Sequence, residues 1–290
     1  MAQVHRLGAF SSDPGGGNPA GVVLAERELP ESAMQSIAAN VGYSETAFLA
    51  PAGPMTYDVR YFSPLAEVPF CGHATIAAGV LLGAGDWLFR TRSGEVSVDV
   101  TRPRGGRVMA TLTSVSPRVA DLSADDLTEL LAALRWATGD LDPALPPRVG
   151  YAGAWHPILA ARAYARLRRL DYDVGRLRAL MLDRNWTTID LVWRESATVF
   201  HARNPFPVGG VYEDPATGAA AAALGAYLRE QGLLQPPAAV TVHQGAEMGR
   251  RSTLLVEVLA GDERVRVSGT AVHIPPGDGW RPAVVVPAQP

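Results

Sequence analysis

Short runs of alternating or β-branched residues fill most of the first half of the chain. In a strand successive side chains point to opposite faces, so such runs, bounded by Gly, Pro, Ser or Asp, indicate β-structure. They predict strands at residues 4–10, 20–25, 46–50, 57–62, 95–100 and 107–113. Helical spacing predicts one helix over residues 31–40 and another that follows His73 and ends near residue 83 or 85.

The second half of the chain repeats this scheme. Strands are predicted at residues 148–152, 155–160, 188–193, 198–202, 239–242, 254–258 and 265–268, and helices at 123–136, 174–182 and 216–231. Residues 114–121 are interpreted as a linker, and residues 138–148 as a loop. Each half therefore combines several strands with one alanine-rich helix, around which a sheet could wrap closely. Two unrelated α+β domains would give the same periodicity, so the pattern alone leaves both interpretations open.

Two matching glycine-containing turns open these alanine-rich helices. The first reads CGHATIAAG over residues 71–79, and the second reads EDPATGAAA over residues 213–221. A helix N-terminus attracts anions because its first N–H groups are unpaired and its dipole favours negative charge. Each turn also carries a group that can transfer protons, His73 in one and Asp214 in the other. The pair predicts two half-sites for a small anionic substrate.

Composition narrows the class of protein. With 290 residues, of which 47% are hydrophobic and 19% charged, the chain suits one large or two ordinary domains of a compact protein. The net charge is −3 and no basic stripe is present, so no nucleic-acid partner is expected. No stretch approaches the ~20 apolar residues of a membrane span, and we expect no signal peptide before the first strand. We expect a cytoplasmic protein with no membrane partner.

Two absences exclude several mechanisms. Cys71 is the single cysteine, which rules out a disulfide within the chain, a zinc cluster of thiolates and a mechanism with two thiols. The chain has no lysine, so all 26 basic residues are arginine. This excludes Schiff-base catalysis, attachment of pyridoxal phosphate and a phosphate-binding loop with its lysine.

Asn18 lies in the turn DPGGGNPAG at residues 13–21, which superficially offers the dinucleotide-binding pattern G-x-G-x-x-A. That fingerprint must follow a buried strand and open a helix, whereas Pro19 interrupts it here and a strand follows. We therefore interpret the segment as a tight turn, from which Asn18 could hydrogen-bond a substrate.

Glu45 and His73 are candidates for proton transfer. Glu45 lies at a helix-to-strand junction between apolar neighbours, where partial desolvation suits a group that removes and returns a proton. His73 lies at a helix start, where the dipole would lower its pKa and keep it neutral. Taken alone, each residue fits a structural role better, as a solvated glutamate or as a histidine that caps or packs in the turn.

Cys71 and Asp214 are weaker candidates. Cys71 is expected to be a small buried residue, although a helix N-terminus could activate its thiol. Asp214 could simply be a turn residue before Pro215. The other histidines show no metal-binding spacing, so no metal site is predicted from them; they are His5, His156, His201, His243 and His273.

Six motifs occur together in the order typical of one family. They are GNPAG at residues 17–21, SETAF at 44–48, RYFSP at 60–64, EVPFCGHAT at 67–75, EDPATG at 213–218 and QGAEMGR at 244–250. Over residues 4–274 the sequence thereby resembles the PhzF-like family, which is named after phenazine biosynthesis. One motif would be weak evidence, but six in order with fitting spacing are specific.

The resemblance implies a diaminopimelate-epimerase-like α+β fold. Two pseudo-symmetric domains, each a curled sheet or barrel around a central helix, would enclose the active site. We expect these domains at residues 1–115 and 116–275, with the segment 276–290 returning to the first. Members of the family are commonly homodimers and use no metal or organic cofactor.

The resemblance also implies a cofactor-independent isomerase of a small, cyclic, unsaturated carboxylate. The composition, rich in Ala and Pro and with arginine in place of lysine, indicates a GC-rich bacterial genome, and we therefore expect a role in secondary metabolism such as antibiotic biosynthesis. One glutamate, which matches Glu45, moves a proton between two carbons and shifts a double bond, and His73 and Asp214 match the assisting residues. Contacts with the anionic substrate are implied for Asn18, Ser44, Gly72, Ala74, Gly218, Ala219 and Gln244.

Ala219 departs from the family pattern, which usually has a serine there whose hydroxyl contacts the substrate. This suggests a substrate that differs from the phenazine precursor at the edge contacted by that hydroxyl. Cys71 resembles one of the two catalytic cysteines of related epimerases, but Pro215 stands at the second position. Two alternatives stay open. The chain could be an amino-acid epimerase or racemase that uses Glu45 with Cys71 or Asp214, or a non-catalytic metabolite-binding protein on the same fold.

Overall fold

Strands account for most of the regular structure in the computed structural model, which describes residues 3–275, 277 and 279–284. These residues divide into two units. The first unit lies within Met1–Thr113, Gly249–Thr253 and Ser268–Pro282, and the second within Ser114–Met248, Leu254–Val267 and Ala283–Pro290. The boundary predicted after residue 115 lies beside the change of unit at Ser114. Residues 249–253 and 268–275, placed in the predicted second domain, belong to the first unit.

Numbered in chain order, the strands of the first unit are β1 Val4–Ala9, β2 Asn18–Leu24, β3 Glu45–Gly53, β4 Thr56–Phe62, β5 Glu67–Val68, β6 Gly85–Thr91, β7 Gly94–Thr101, β8 Met109–Thr113 and β18 Ala271–His273. Those of the second unit are β9 Arg118–Asp121, β10 Arg148–Tyr151, β11 Trp155–Ala160, β12 Asp190–Arg194, β13 Val199–Pro205, β14 Glu213–Asp214 and β15 Ala238–Gln244. Two further strands contribute residues to both units, β16 Ser252–Val258 and β17 Val265–Gly269.

Six α-helices accompany these strands in the described part of the chain. The first unit holds α1 Glu31–Val41 and α2 Gly72–Leu82, and the second holds α3 Ala124–Leu134, α4 Tyr164–Arg168, α5 Val174–Arg184 and α6 Gly218–Glu230. Ser123 caps α3 as its sequence predicts, because its Oγ accepts a hydrogen bond from the backbone N–H of Asp126. Among the described helices, none is long and apolar enough to cross a membrane.

The two units share one order of strands and pairings. In the first, β1 pairs antiparallel with β2, β2 runs parallel to β3, and β3 pairs antiparallel with β4, which borders β5 and β6. In the second, β10 pairs antiparallel with β11, β11 runs parallel to β12, and β12 pairs antiparallel with β13, which borders β14 and β15. In each unit the central helix, α2 or α6, follows the short fifth strand of this order. The expectation of two halves built on one scheme is therefore confirmed.

Each central helix is buried on nearly every side. Residues 73–79 of α2 and residues 220–228 of α6 are all buried. A Cβ atom on Gly79 would lie 2.9 Å from Cγ1 of Val98, and one on Gly225 would lie 2.7 Å from Cγ1 of Val256. Since real Cβ contacts are longer, each glycine marks a closest approach between helix and sheet. The small residues allow the close wrapping that the sequence predicted.

Several described elements differ from the prediction: α4, β5, β14 and β18 were not predicted, and neither were two further strands. Residues 118–121, interpreted as a linker, form β9, which pairs antiparallel with β10. Residues 85–91, for which no strand was predicted, form β6 between β4 and β7. Neither strand shows a clean alternation of buried and exposed residues, because both are largely half-buried or exposed. The period-2 signal is therefore weak in both.

The segment 276–290 lies partly outside the described residues, which omit Pro276, Asp278 and residues 285–290. Within its described part, the Trp280 ring lies 5.3 Å from the Arg250 guanidinium, in the first unit. Ala283 accepts a hydrogen bond from Tyr212, and Val284 forms a bridge with Val211, in the second unit. Residues 280–282 therefore belong to the first unit, and Ala283 and Val284 to the second.

A buried polar cluster links three strands of the second unit. His156 Nδ1 lies 2.8 Å from Thr188 Oγ1, and Asn204 Nδ2 donates to Thr188 Oγ1 and to Asp190 Oδ1, each at 3.2 Å. Burial raises the pKa of Asp190 to about 7, although the hydrogen bond from Asn204 opposes this. Burial lowers the pKa of His156 to about 4, against a hydrogen bond to the backbone of Thr188. Both side chains are neutral in mildly acidic solution.

These two groups act oppositely on stability as pH changes. From pH 4 to 6.5, folded Asp190 keeps a proton that the unfolded chain has released, so its contribution falls as pH rises. Folded His156 lacks a proton that the unfolded chain holds in this range, so its contribution rises with pH. Because the two pH ranges overlap, the opposite changes in the free energy of unfolding offset each other in the wild type.

Replacing Asp190 with Asn should expose the slope due to His156. We expect the free energy of unfolding of Asp190→Asn, relative to wild type, to increase between pH 4 and 7 by about 4 kcal/mol and then level off. Urea denaturation at a series of pH values measures this difference. Asp125→Asn, at an exposed position of α3, is the control and should show no such slope. A pH-independent difference for Asp190→Asn would contradict the prediction.

Candidate active site

Three chemically active side chains meet in the first unit. Glu45 is the first residue of β3, Cys71 is the N-cap of α2, and His73 is the second residue of that helix. Gly42, with φ +69°, ends α1 and turns the chain towards β3. Parallel pairing places Glu45 opposite Ala20 of β2. The fold thus brings together two segments that lie about 26 residues apart in the sequence.

The distances among these side chains are close to hydrogen-bonding length. Glu45 Oε2 lies 3.4 Å from His73 Nε2 and 3.6 Å from Cys71 Sγ. Cys71 Sγ lies 3.3 Å from His73 Nδ1 and 3.7 Å from His73 Nε2. Cys71 and His73 are buried, while 17% of the Glu45 side chain is exposed. The carboxylate is therefore partly shielded from water, yet still partly accessible.

His73 is held as a neutral imidazole. Burial lowers its pKa below the usual value, while the nearby charge of Glu45 and a hydrogen bond to the backbone of Pro19 oppose this effect. The predicted direction is correct, but its cause is burial rather than the helix dipole alone. A neutral ring can donate from one nitrogen and accept at the other, which suits a residue that positions a proton.

The predicted binding residues of the first unit lie around this cluster or on the strand beside it. Ser44 Oγ lies 3.5 Å from His73 Nε2. Gly72 and Ala74 are the first and third residues of α2, where backbone N–H groups lack intrahelical partners. The side chain of Cys71 makes no capping hydrogen bond at this end. The first turn of α2 therefore offers N–H groups beside Glu45.

Asn18 is buried and begins β2, immediately before the contact between Pro19 and His73. The turn that precedes it is fixed by Arg250, whose Nε donates to the carbonyl of Gly17 at 3.0 Å and whose Nη2 donates to that of Gly16 at 2.6 Å. Arg250 is itself buried. Its role in shaping this turn was not predicted, because the two segments are more than 230 residues apart.

A second polar cluster opens α6 in the second unit. Thr217 Oγ1 donates to Asp214 Oδ2 at 2.6 Å, and Gln244 Nε2 donates to the carbonyl of Asp214 at 2.8 Å. Gln244 Oε1 accepts a hydrogen bond from the backbone N–H of Thr217 at 3.0 Å. Gln244, predicted as a substrate contact, therefore supports the turn that carries Asp214. Gly218 and Ala219 are the first two residues of α6.

Thr217 was part of a recognised motif but was not singled out as a site residue. Its position three residues after Asp214 is the usual spacing for a hydroxyl that closes a turn onto a carboxylate, and this could have drawn attention to it. The sequence signal for Gln244 was only its place in the QGAEMGR motif.

An arginine–glutamate pair holds the strand before each central helix. In the first unit, Arg60 Nε donates to Glu67 Oε1 at 2.7 Å and Nη2 donates to Oε2 at 2.6 Å. In the second, Arg203 Nε donates to Glu213 Oε1 at 2.9 Å and its Nη2 donates to Oε2. In each unit the arginine lies two residues before the residue that pairs with the glutamate in the sheet. That residue is Phe62, opposite Glu67, in the first unit and Pro205, opposite Glu213, in the second. The same bidentate contact therefore occurs at equivalent places in both units.

A surface cavity of about 240 Å³ lies elsewhere in the first unit, between residues of β3, β4 and β6. Arg60, Arg90 and Arg92 contribute to its lining, and so does Met34 of α1. None of the predicted site residues lines it. We therefore assign the chemistry to the cluster around Glu45 rather than to this cavity.

Comparison with known proteins identifies the family. Residues 7–277 match the PhzC-PhzF family, described as phenazine biosynthesis-like protein. The chain belongs to the PhzC-PhzF family. A Bacillus subtilis member named as an uncharacterized isomerase, YfhB, is 30% identical over 285 residues, which cover 94% of this chain and 96% of the relative. The trans-2,3-dihydro-3-hydroxyanthranilate isomerase of Pseudomonas chlororaphis is 31% identical over 276 residues, covering 92% and 95%.

Solved structures agree with this membership. The PhzF-family phenazine biosynthesis protein of Bacillus anthracis has a TM-score of 0.83 at 26% identity and covers 94% of this chain and 96% of its own. Proline racemase and hydroxyproline epimerase structures share the fold with a TM-score of 0.65 at 13% and 14% identity, which shows the fold alone. The diaminopimelate-epimerase-like α+β fold is thus confirmed. The chain is a PhzF-family isomerase.

Breaking the arginine–glutamate pair of the second unit should cost much stability. Burial raises the pKa of Glu213, and Arg203 opposes this by stabilising its charge. Arg203→Met leaves the buried carboxylate without its guanidinium, so we expect a loss of about 3–5 kcal/mol in the free energy of unfolding. Urea denaturation followed by tryptophan fluorescence measures it.

Arg176→Met is the matched control. Arg176 and Glu129 form an exposed ion pair at 2.8 Å, with 46% and 55% of their side chains accessible. Its loss should cost no more than about 1 kcal/mol. Equal unfolding midpoints for the two variants would show that the buried pair contributes no more than the exposed one.

Proposed function

We propose that this chain is a cofactor-independent isomerase that moves a proton within a small, cyclic, unsaturated carboxylate and thereby shifts a double bond. Glu45 acts as its single acid and base. The observation that carries the proposal is the partly exposed Glu45 carboxylate, 3.4 Å from the buried ring of His73 and beside the first turn of α2. Membership in the PhzF family supports it.

The proton transfer follows from these positions. Glu45, as carboxylate, takes a proton from an acidic carbon, and the electron pair of the broken C–H bond enters the conjugated system. Negative charge then develops on the substrate carboxylate, where backbone N–H groups at the start of α2 stabilise it. Glu45 returns the proton to another carbon, which forms the new C–H bond and restores the carboxylate.

His73 supports this cycle without carrying a charge of its own. Its neutral ring contacts Glu45 Oε2, so it can orient the carboxylate and accommodate the change when Glu45 becomes protonated. The roles of Asp214 as an assisting residue, and of Gly218 and Ala219 as substrate contacts, rest on the family resemblance alone and stay predictions. The homodimer, the cytoplasmic location and the role in secondary metabolism also stay predictions.

An epimerase that uses Glu45 and Cys71 fits this geometry poorly. Two bases that invert one carbon must flank it on opposite faces, with the carbon between them. Cys71 Sγ lies only 3.6 Å from Glu45 Oε2, which leaves no room for a carbon between the two atoms. The distance therefore favours a single base that delivers the proton to the same face.

Removing the proposed base should abolish proton transfer. We expect Glu45→Gln to lower the rate by about 10²–10⁴-fold, because the amide cannot accept the proton. Proton NMR in D₂O, with a panel of cyclic unsaturated carboxylates that includes trans-2,3-dihydro-3-hydroxyanthranilate, follows deuterium entry and migration of the double bond. Glu95→Gln, at an exposed carboxylate of β7 in the same unit, should keep full activity.

Each outcome of this experiment separates the candidate functions. Equal activity of wild type and Glu45→Gln would exclude Glu45 as the base. Deuterium entry with inversion at one carbon, and no shift of a double bond, would indicate the epimerase instead. Stabilisation by a ligand of the panel without turnover would indicate a metabolite-binding protein.

Restoring the family serine should shift specificity towards the substrate of the Pseudomonas relative. Ala219→Ser adds a hydroxyl in the first turn of α6, and one hydrogen bond to substrate is worth about 0.5–1.5 kcal/mol. We expect kcat/KM for trans-2,3-dihydro-3-hydroxyanthranilate to rise by about 3- to 10-fold. Ala124→Ser, at an exposed position in the first turn of α3, is the control. An unchanged kcat/KM for Ala219→Ser would show that Ala219 does not set this preference.

A further inference from the structure

The cluster of Glu45, Cys71 and His73 combines three types of metal ligand at one point. A thiolate, an imidazole nitrogen and a carboxylate oxygen are the donors that Zn²⁺ takes in proteins. Cys71 Sγ, His73 Nε2 and Glu45 Oε2 form a triangle with sides of 3.7, 3.6 and 3.4 Å. Proton transfer by Glu45 does not require the thiol, so the mechanism leaves the position of Cys71 unexplained.

The dimensions of this triangle match one face of a zinc coordination tetrahedron. Bond lengths of about 2.3 Å to sulfur and about 2.0–2.1 Å to nitrogen and oxygen place tetrahedral ligands roughly 3.6 Å apart for S and N, 3.5 Å for S and O, and 3.3 Å for N and O. The three observed separations each exceed these values by only about 0.1 Å. Small adjustments of the three side chains would therefore bring their ligand atoms into zinc-binding positions.

The surroundings of the ligands also suit a metal ion. The ring of His73 hydrogen-bonds the backbone of Pro19, and since proline has no N–H, the acceptor is its carbonyl. Metal-binding histidines usually donate their second ring nitrogen in this way, which fixes the ring. Cys71 and His73 are buried, while Glu45 is partly exposed, so a fourth position can be filled by water or another small ligand.

We propose that Glu45, Cys71 and His73 form an inhibitory site for Zn²⁺, in which the ion binds Oε2, Sγ and Nε2 and blocks the proposed base. Binding releases the thiol proton to solvent, and the charges of thiolate and carboxylate balance the two positive charges of the ion. Its inhibitory effect rests on the proposed function, but the binding itself does not. The ion acts here as a reversible inhibitor and takes no part in the proton transfer.

Cobalt provides a direct readout of this site. Co²⁺ adopts zinc-like geometry, and a thiolate bound to it gives a strong near-ultraviolet charge-transfer absorption. Cys71 is the single cysteine of the chain, so this absorption can arise only there. We expect metal-free wild type to develop the band with saturation at one Co²⁺ per chain, and Zn²⁺ to remove it by displacement.

Variants then test each ligand. Cys71→Ser should lose the band, and both Cys71→Ser and Glu45→Gln should weaken Zn²⁺ binding in calorimetry by at least about 10-fold. Circular dichroism shows whether each variant is folded. If Cys71→Ser does not fold, Glu45→Gln still tests the site, because it keeps the thiol of Cys71. His201→Gln is the control for surface binding, since His201 contacts Glu195 outside this cluster, and it should bind Zn²⁺ as wild type does.

The outcomes distinguish this site from the proposed isomerase activity. No charge-transfer band in wild type at saturating Co²⁺, a stoichiometry of one ion per two chains, or equal Zn²⁺ affinity of wild type and Glu45→Gln would each overturn the proposal. These measurements need no substrate, so they stand even if Glu45 is not the base. Once a substrate is known, Zn²⁺ should inhibit its turnover and a chelator should restore it.

Discussion

The close approach of a sheet to each central helix is the constraint on which the rest of the structure depends. At Gly79 and Gly225 a single methyl group would meet a valine of the surrounding strands. Neither helix can therefore rotate or slide without a clash. Because α2 is fixed in this way, Cys71 and His73 at its N-terminus stand at a fixed distance from Glu45 on β3, and proton transfer depends on such fixed distances.

The equivalent arginine–glutamate pairs show how one scaffold carries two kinds of chemistry. In both units the pair fixes the short strand that leads into the central helix. Beyond that point the units differ. One presents a cysteine and a histidine beside a carboxylate, and the other presents Asp214 held by Thr217 and Gln244. The shared contact preserves the backbone geometry of this strand. The side chains of the turn that follows can therefore differ between the two units.

The sequence predicts best those features that are encoded locally. The glycine turns, their helices and the strands with clear alternation are local, and Glu45 and His73 were found through short motifs. The buried contacts of Arg203 and Arg250 were not predicted, because each joins segments that only the folded chain brings together. Burial is also a property of the whole fold, and for this reason the pKa of His73 was predicted in direction but not in cause.

Because the chain is synthesised from its N-terminus, completion of the first unit depends on residues that are made late. Strand β1 is completed by β18, with Leu7 opposite His273, and the turn before Asn18 is held by Arg250. A ribosome must therefore make nearly all of the second unit before the first can close. Until then β1 has an open edge, and the strand that carries the proposed base belongs to an unfinished sheet. Translation that stops early would yield no independent N-terminal half-enzyme.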